Sequence, residues 1–185
     1  MPLLLITPPA SEPVSLAEAK AHLRLTISDD DAYVSSLIGA ARRALEARHG
    51  LALMPQHWAL FADRWPEDGI FQIPLWPVSE VESLVSFSED DTASTIDAAH
   101  YMLDAASRPA RVALRTGRTF APPGRRINGL KLSFVAGFDT VPAEIKQAIL
   151  ICAADWYQNR GDEQGGAIPA AALEALSAYR NTRLA

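Results

Sequence analysis

Residues 130–156 read LKLSFVAGFDTVPAEIKQAILICAADW and contain the change of hydrophobic period that decides the fold. Leu130, Leu132 and Phe134 alternate with polar residues, which is the pattern of a half-buried antiparallel strand. After Pro142, a residue favoured in the first turn of a helix, apolar residues recur every three or four positions, as on a helix that buries one face. The stretch therefore joins a strand to a helix, and we predict an α+β fold.

Helical patterns also occur earlier in the chain. Ser15 and Glu18 have the spacing of a capping box, in which each side chain satisfies a free amide at the start of a helix. A second helix is expected after Ser28, because residues 29–31 are aspartates and acids are favourable at a helix N-terminus. Gly50 is suited to end that helix. We predict helices near residues 15–25, 29–49, 142–160 and 170–180, packed together.

Between residues 56 and 138 the sequence changes to short apolar runs separated by proline and glycine. Such runs are typical of strands joined by turns. Strands are predicted near residues 58–61, 70–73, 84–87, 101–103, 112–114 and 130–134. We therefore predict an antiparallel β insertion at residues 56–138, within a helical core formed by residues 1–55 and 139–185.

Size and composition exclude several classes of protein. The 185 residues suit one ordinary domain with a modest insertion, and the apolar opening at residues 1–6 is too short to cross a membrane. The single cysteine, Cys152, excludes an internal disulfide and fits a reducing cytoplasm. The net charge of −5 argues against a dedicated nucleic-acid-binding protein, since such a protein needs a basic surface.

The charge is unevenly distributed along the chain. Residues 1–100 contain 6 basic and 15 acidic residues, whereas residues 101–185 contain 11 and 7. A cyclic assembly joins two different surfaces of one chain, and oppositely charged halves would supply them. The alternative is an uneven surface with no role in assembly.

No catalytic or metal-binding motif occurs in the sequence. The four histidines lie far apart, and no zinc-binding or phosphate-binding spacing is present. Cys152 falls on the apolar face of a helix, which favours a buried residue over a nucleophile. The aspartates at 29–31 could form a metal cluster, but acids at a helix start explain them without one. We predict no catalytic residue, no metal and no cofactor.

Six arginines lie within the 19 residues from 108 to 126. Arg111 and Arg115 flank Val112 and Leu114, so alternation places both on the polar face of one strand. The cluster is either a solvated hairpin or a contact with an acidic neighbouring subunit or with DNA phosphates in a channel. The candidate interface or channel residues are Arg108, Arg111, Arg115, Arg118, Arg125 and Arg126.

Four segments of the sequence follow one another in an order that is typical of a known family. They are VSLAEAKAHLR at 14–24 with the aspartates that follow, IPLWPV at 73–78, FVAGF at 134–138, and VPAEIKQAI at 141–149 running to WYQNRG at 156–161. Together they resemble the head–tail connector (adaptor) family of long-tailed phages, in the longer form that carries a β insertion. The resemblance covers residues 14–161.

This resemblance implies a structural role. Such a subunit forms a ring, commonly of twelve copies, between the portal protein and the stopper and tail proteins, and extends the channel through which DNA passes without specific binding. No catalysis, cofactor or membrane is involved. The particle would be a virion or a phage-like particle, from a free phage, a prophage or a gene transfer agent, assembled in the bacterial cytoplasm.

The C-terminal segment lies outside the resemblance. After Gly165 and Gly166 the sequence predicts a short helix with only Leu173 and Leu176 as large apolar anchors, which we expect to be mobile in the free subunit. The candidate residues for docking onto the portal are Tyr179, Arg180, Arg183 and Leu184.

Two alternative functions belong to other classes. The first is a small-molecule binding module or an uncatalogued enzyme, with Trp58, Trp65 and Trp76 lining a pocket in the β insertion. The second is a DNA-binding regulator that uses the arginine cluster.

Overall fold

The computed structural model describes residues 1–115, 117, 120–160 and 166–179. Within these ranges it contains four α-helices and two antiparallel sheets, which confirms the predicted α+β fold. The chain divides into two compact units. The sheet unit comprises Met1–Pro9 and Pro55–Gly137, and the helical unit comprises Ala10–Met54 and Phe138–Ala185.

The helical unit contains the four predicted helices, with ends that differ by a few residues from those expected. They are α1 (Leu16–Leu23), α2 (Asp31–His49), α3 (Ala143–Gln158) and α4 (Ala170–Ala175), followed by a 3₁₀ turn at Ser177–Tyr179. The predicted capping box starts α1, where Ser15 Oγ accepts from the Glu18 amide and the Ser15 amide donates to Glu18 Oε2 at 2.8 Å. Gly50 ends α2 in the left-handed conformation, with φ of 63°.

The start of α2 differs from the expectation. Asp30 is the N-cap residue, yet its side chain makes no capping hydrogen bond. Its carboxylate accepts hydrogen bonds from Tyr157 and Arg160 near the end of α3 instead, while Asp31 accepts from Lys20. The acidic run therefore joins helices to each other, in addition to lying where the helix dipole favours it.

The core of the helical unit lies where α2 packs on α3. Val34 and Leu45 of α2 are fully buried, as are Ile145 and Ile149 of α3, and Trp156 is 8% exposed. Burial of these side chains at helical spacing is the main apolar contribution to the stability of this unit.

The sheet unit contains eight strands. They are β1 (Leu3–Thr7), β2 (Gln56–Ala62), β3 (Ile70–Ile73), β4 (Val78–Phe87), β5 (Ala93–Ile96), β6 (Tyr101–Asp104), β7 (Ala110–Leu114) and β8 (Leu130–Ala136), with a 3₁₀ turn at Ala98–His100 between β5 and β6. One sheet has the order β1-β2-β8-β4-β5 and the other has the order β3-β7-β6, and all pairings are antiparallel. The six predicted strands are present, and β1 and β5 are additional.

Strand β8 lies at the centre of the five-stranded sheet, between β2 and β4. Leu130, Leu132, Phe134 and Ala136 are buried and their neighbours are half-buried, as the alternation indicated. Strand β1 pairs with β2, so residues 1–9 lie in the sheet unit. Their unbroken apolar run shows no strand alternation, so the sequence alone grouped them with the helical core.

Candidate interaction surfaces

Arg111 lies on β7 directly opposite Asp104 of β6. Its Nε donates to Asp104 Oδ2 at 3.1 Å, and its Nη2 donates to Ser107 Oγ at the same distance. Hydrogen bonds from Ser107 and then from Arg111 lower the pKa of the Asp104 carboxyl to about 2. Arg111 is thus exposed, as alternation predicted, but its charge is compensated within the sheet.

Two other arginines of the cluster stack on aromatic rings. The guanidinium carbon of Arg108 lies 3.3 Å from the centroid of the Trp76 ring, and that of Arg125 lies 4.2 Å from the centroid of Phe87. Arg125 also forms an ion pair with Asp91. Such stacking stabilises the loops that carry these side chains.

Arg115 and Arg126 differ from the rest of the cluster. Both are exposed, and neither side chain forms an ion pair or hydrogen bond within the ranges that the structure describes. The backbone of Arg115 is fixed, because its amide donates to the carbonyl of His100 at 2.8 Å. Arg118 lies outside the described residues. Arg115 and Arg126 are therefore the described arginines of the cluster that are best suited to meet a partner.

The opposite charges of the two sequence halves do not separate in the fold. The sheet unit contains eight basic and ten acidic residues, and the helical unit contains nine and twelve. Each unit is weakly acidic because each is assembled from an early and a late stretch of the chain. Surfaces for assembly must therefore be sought in local features and not in the two halves.

Exposed apolar side chains are concentrated in the sheet unit. Seven large hydrophobic residues are exposed in the described part of the chain: Met1, Leu4, Leu5, Ile6, Ile27, Met102 and Ile127. Only Ile27 belongs to the helical unit. Four of the others lie in or beside β1, so exposed apolar side chains are concentrated along this strand, and such concentrations mark interaction sites.

The described part of the segment before the C-terminus, Ala170–Tyr179, is packed in the helical unit. Ala172 and Leu176 are completely buried, and the ring of Tyr179 meets that of Phe138 edge-on at a centroid distance of 6.1 Å. Helix α4 packs along α3, and these buried side chains and the aromatic contact join Ala170–Tyr179 to the rest of the helical unit. Of the proposed docking residues only Tyr179 is described, and Arg180, Arg183, Leu184 and the hinge residue Gly165 lie outside the described ranges.

A polar cluster that the sequence analysis missed joins α2 to α3. Asp30 accepts from Tyr157 and from Arg160, whose Nη2 lies 3.2 Å from Asp30 Oδ2. The Arg160 guanidinium also stacks on the rings of Tyr33 and Tyr157. The hydrogen bond from Tyr157, followed by that from Arg160, lowers the pKa of Asp30. A signal was present in the sequence, since a tyrosine and an arginine three residues apart share one helix face.

The structure bears on the alternative interpretations as well. Among the described residues no group of histidine, cysteine and acidic side chains is placed to hold a metal ion. None of the described helices is long and apolar enough to cross a membrane. Cys152 is buried, and burial followed by the nearby Asp155 raises its thiol pKa to about 12, so the thiol stays protonated at neutral pH.

The three tryptophans do not converge on one pocket. Trp65 lines a groove beside β5, and Trp58 lines a different one beside β1. Trp76 lies under the Arg108 guanidinium. The described residues therefore give no support to a binding site shared by all three.

Two comparisons with known proteins agree with the resemblance that the sequence indicated. The phage gp6-like head-tail connector family model matches residues 13–92. The fold is similar to that of a chain in the neck of an empty gene transfer agent (GTA) particle computed with C6 symmetry, with a TM-score of 0.85, 26% identity and coverage of 100% of this chain and 98% of the other.

Further structures match over the same extent. Chains from the neck of a native GTA particle with C12 symmetry and from the virion of a native GTA particle each have a TM-score of 0.82 and 24% identity, again covering 100% of this chain and 98% of the other. No curated protein sequence gives a significant match. The family match over residues 13–92 and the full-length fold match together confirm the predicted resemblance to the head–tail connector family.

Proposed function

We propose that this protein is a structural head–tail connector subunit, which forms a ring between the portal and the stopper or tail proteins and extends the DNA channel. The observation that carries the proposal is the likeness of the entire chain to a neck component of a GTA particle, at 26% identity. The family match over residues 13–92 supports it from sequence.

The proposed assembly is a homo-oligomer of twelve copies in a phage or phage-like particle, put together in the cytoplasm. A twelve-membered ring contains sixfold symmetry, so twelve copies are compatible with the C6 symmetry of the matched neck. The proposal includes no catalytic step and no cofactor. DNA passes without specific binding, since both units are weakly acidic and would not grip phosphates strongly.

We also propose that the helical unit is the connector core and that the larger part of the sheet unit, Pro55–Gly137, is an insertion in it. The sequence segments at 14–24 and 141–149, which carry much of the resemblance, lie in the helical unit. The arginines Arg108, Arg111, Arg115, Arg118, Arg125 and Arg126 are proposed subunit-interface or channel residues. Among the described ones, Arg115 and Arg126 have the most accessible charge.

The proposed portal contact is the C-terminal end, with Tyr179, Arg180, Arg183 and Leu184. Arginine, tyrosine and leucine contribute strongly to interfaces when they are desolvated. Deletion of residues 180–185 retains the contact of Tyr179 with Phe138, so the melting temperature should change little. A pull-down with the portal protein should show loss of binding, and undiminished binding would contradict the docking role.

The central experiment is electron microscopy of the purified protein mixed with the portal protein from the same particle. We expect rings seated on the portal, with a subunit count of twelve from class averages or mass measurement. If only monomers or dimers of this protein are seen, even when it is present in excess over the portal protein, the proposed function is contradicted.

A further inference from the structure

Strand β1 is an uncovered edge of the five-stranded sheet. Among the described residues it pairs only with β2, and four of its five residues are exposed, with Leu4 at 55% and Ile6 at 51%. Residues 1–11 contain no charged side chain. Free edges of soluble proteins are normally protected by charges, proline or a covering segment. Strand β1 contains no charge and no proline. Its pairing with β2 has an irregularity in register between Leu5 and Thr7, so Leu3–Leu5 is the regular part of the open edge.

The opposite edge of the same sheet has complementary properties. Within the part of the chain that the structure describes, strand β5 pairs only with β4, and three of its four residues are exposed. A groove lies beside it, formed by Ser94 and Ile96 together with aromatic and proline side chains. These other lining side chains include Trp65, Phe87, Phe120 and Pro122.

The groove is preformed and uncharged. Trp65 Nε1 donates to the carbonyl of Ala121 at 2.9 Å, and the Trp65 and Phe120 rings lie 5.0 Å apart between centroids. None of the lining residues within the described ranges carries a charge. An apolar strand could therefore enter it without leaving a buried charge unpaired.

We infer that β1 of one subunit adds to the β5 edge of the next, so that its apolar side chains cover this groove. This inference rests on the proposed ring, because a cyclic interface joins two different surfaces of the same chain and here uses one edge from each neighbour. Strands β1 and β5 are separated by four antiparallel steps and so point the same way. The added pair is then parallel, and it extends one sheet into the next.

Further copies of this chain are the partners that would cover both the β1 edge and the β5 edge of a subunit. Each subunit offers one donor edge and one acceptor edge, so every subunit in a closed ring has both covered. A twofold pairing of β1 with β1 would leave the β5 groove empty and would stop at dimers. The two arrangements therefore give different products when the strands are cross-linked.

Cysteine cross-linking tests the contact directly. We would combine Leu5→Cys with Ala93→Cys or with Thr95→Cys, two partners that cover alternative registers. Within one chain these positions are about 19 Å apart, four strand spacings, which exceeds the roughly 7 Å that a disulfide allows between Cα atoms. The native Cys152 will not interfere, since it is buried and its pKa is about 12.

Mild oxidation of assembled rings should give a ladder of covalent oligomers beyond the dimer for at least one pair. Leu5→Cys alone should give monomers. Rings without any ladder would overturn the strand pairing while leaving the proposed function intact. Dimers from Leu5→Cys alone, with no larger species from the pairs, would indicate the twofold arrangement and also overturn it. Failure to form rings at all would contradict the proposed function itself.

A charge introduced on the edge provides an independent test. The double variant Leu4→Glu and Ile6→Glu should form rings at least tenfold less than the native protein at equal concentration, while its circular dichroism melt stays close to native. The matched control is Met102→Glu, which places a charge on an equally exposed residue of the other sheet. Equal ring formation by the double variant and the native protein would contradict the inference.

Discussion

The helical unit and the sheet unit differ in how many apolar side chains they expose to a partner. In the helical unit the one buried charged side chain among the described residues, Arg42, is paired with Glu12 and Glu46 at 2.7 Å. This unit exposes one large apolar residue, Ile27, in the described part of the chain. The sheet unit exposes six, four of them in or beside β1.

This difference suggests a division of roles. A unit that covers its apolar side chains gains stability but offers few apolar sites for binding, whereas open strand edges with exposed apolar side chains are available for contacts. Substitutions of buried side chains in the helical unit should therefore change folding, and those of exposed, unpaired side chains in the sheet unit should change assembly. The four predictions below test that contrast.

The largest expected effect is at the contact of α2 with α3. Trp156→Ala should lower the free energy of unfolding by about 3–5 kcal/mol, and Ile149→Ala by about 2–5 kcal/mol, because both remove buried side chains and leave cavities. The tryptophan also loses its hydrogen bond to the Ala167 carbonyl, which is 2.8 Å long. Denaturant titrations with the exposed Gln158→Ala as control would measure this, and a loss below about 1 kcal/mol would mean that α3 is peripheral.

The next effect concerns the buried guanidinium of Arg42. The side chain is 8% exposed and bridges Glu12 and Glu46, and Glu46 is itself only 13% exposed. Arg42→Ala leaves both carboxylates without their cation, and a loss of roughly 3 kcal/mol is expected. The control is Arg48→Ala, an exposed arginine on the same helix. Equal losses for the two variants would show that the bridge is not stabilising.

A third prediction concerns acid stability of the sheet unit. The pKa of Asp104 is about 2, against an ordinary value of 3.8, so its ionised form stabilises the fold above about pH 4 and this contribution is lost as the pH falls towards 2. Asp104→Asn should be less stable than the native protein at pH 6, and the two should converge near pH 2.

Urea titrations across this range, with hydrogen exchange of the β7 amides, would report the effect of Asp104 in the sheet unit. Asp139→Asn is a suitable control in the helical unit, because the Asp139 carboxylate forms no hydrogen bond or ion pair among the described residues. A stability difference for Asp104→Asn that does not change with pH would contradict the assignment.

The smallest effect on folding is expected at the unpaired arginines. The double variant Arg115→Glu and Arg126→Glu should change the free energy of unfolding by less than about 0.5 kcal/mol, yet weaken ring formation, with the deficit shrinking as salt rises. Arg111→Glu is a poorer test, because it would also place two acids opposite each other on β6 and β7. Native-like rings at every ionic strength would exclude an electrostatic role for Arg115 and Arg126.

The sequence predicted the elements whose burial pattern is periodic. Strand β8 was predicted because its apolar residues alternate with polar ones, and helix α3 because its apolar residues recur every three or four positions. Strand β5 was missed because Ala93–Ile96 contains one large apolar residue, and its strand conformation depends on pairing with β4. Strand β1 was missed for the opposite reason, since apolar residues on both faces give no alternation.

The interaction surfaces were less predictable than the fold. The cluster of arginines was visible in the sequence, but whether each charge is free depends on cross-strand register and on loop conformation. Asp104 and Arg111 are seven residues apart and become partners only through the pairing of β6 with β7. The stacking of Arg108 on Trp76 likewise joins two loops that are distant in sequence. Such contacts are properties of the tertiary structure.

The central position of β8 has a consequence for how the protein folds during synthesis. Strands β2 and β4 both pair with β8, so the five-stranded sheet cannot be completed until residue 136 has left the ribosome. The helical unit must wait for α3, which ends at residue 158. Both units close long loops before they gain their main contacts, and such closures slow folding. The nascent chain therefore exposes apolar surface until its last third emerges, and an unfinished chain cannot take a place in the ring.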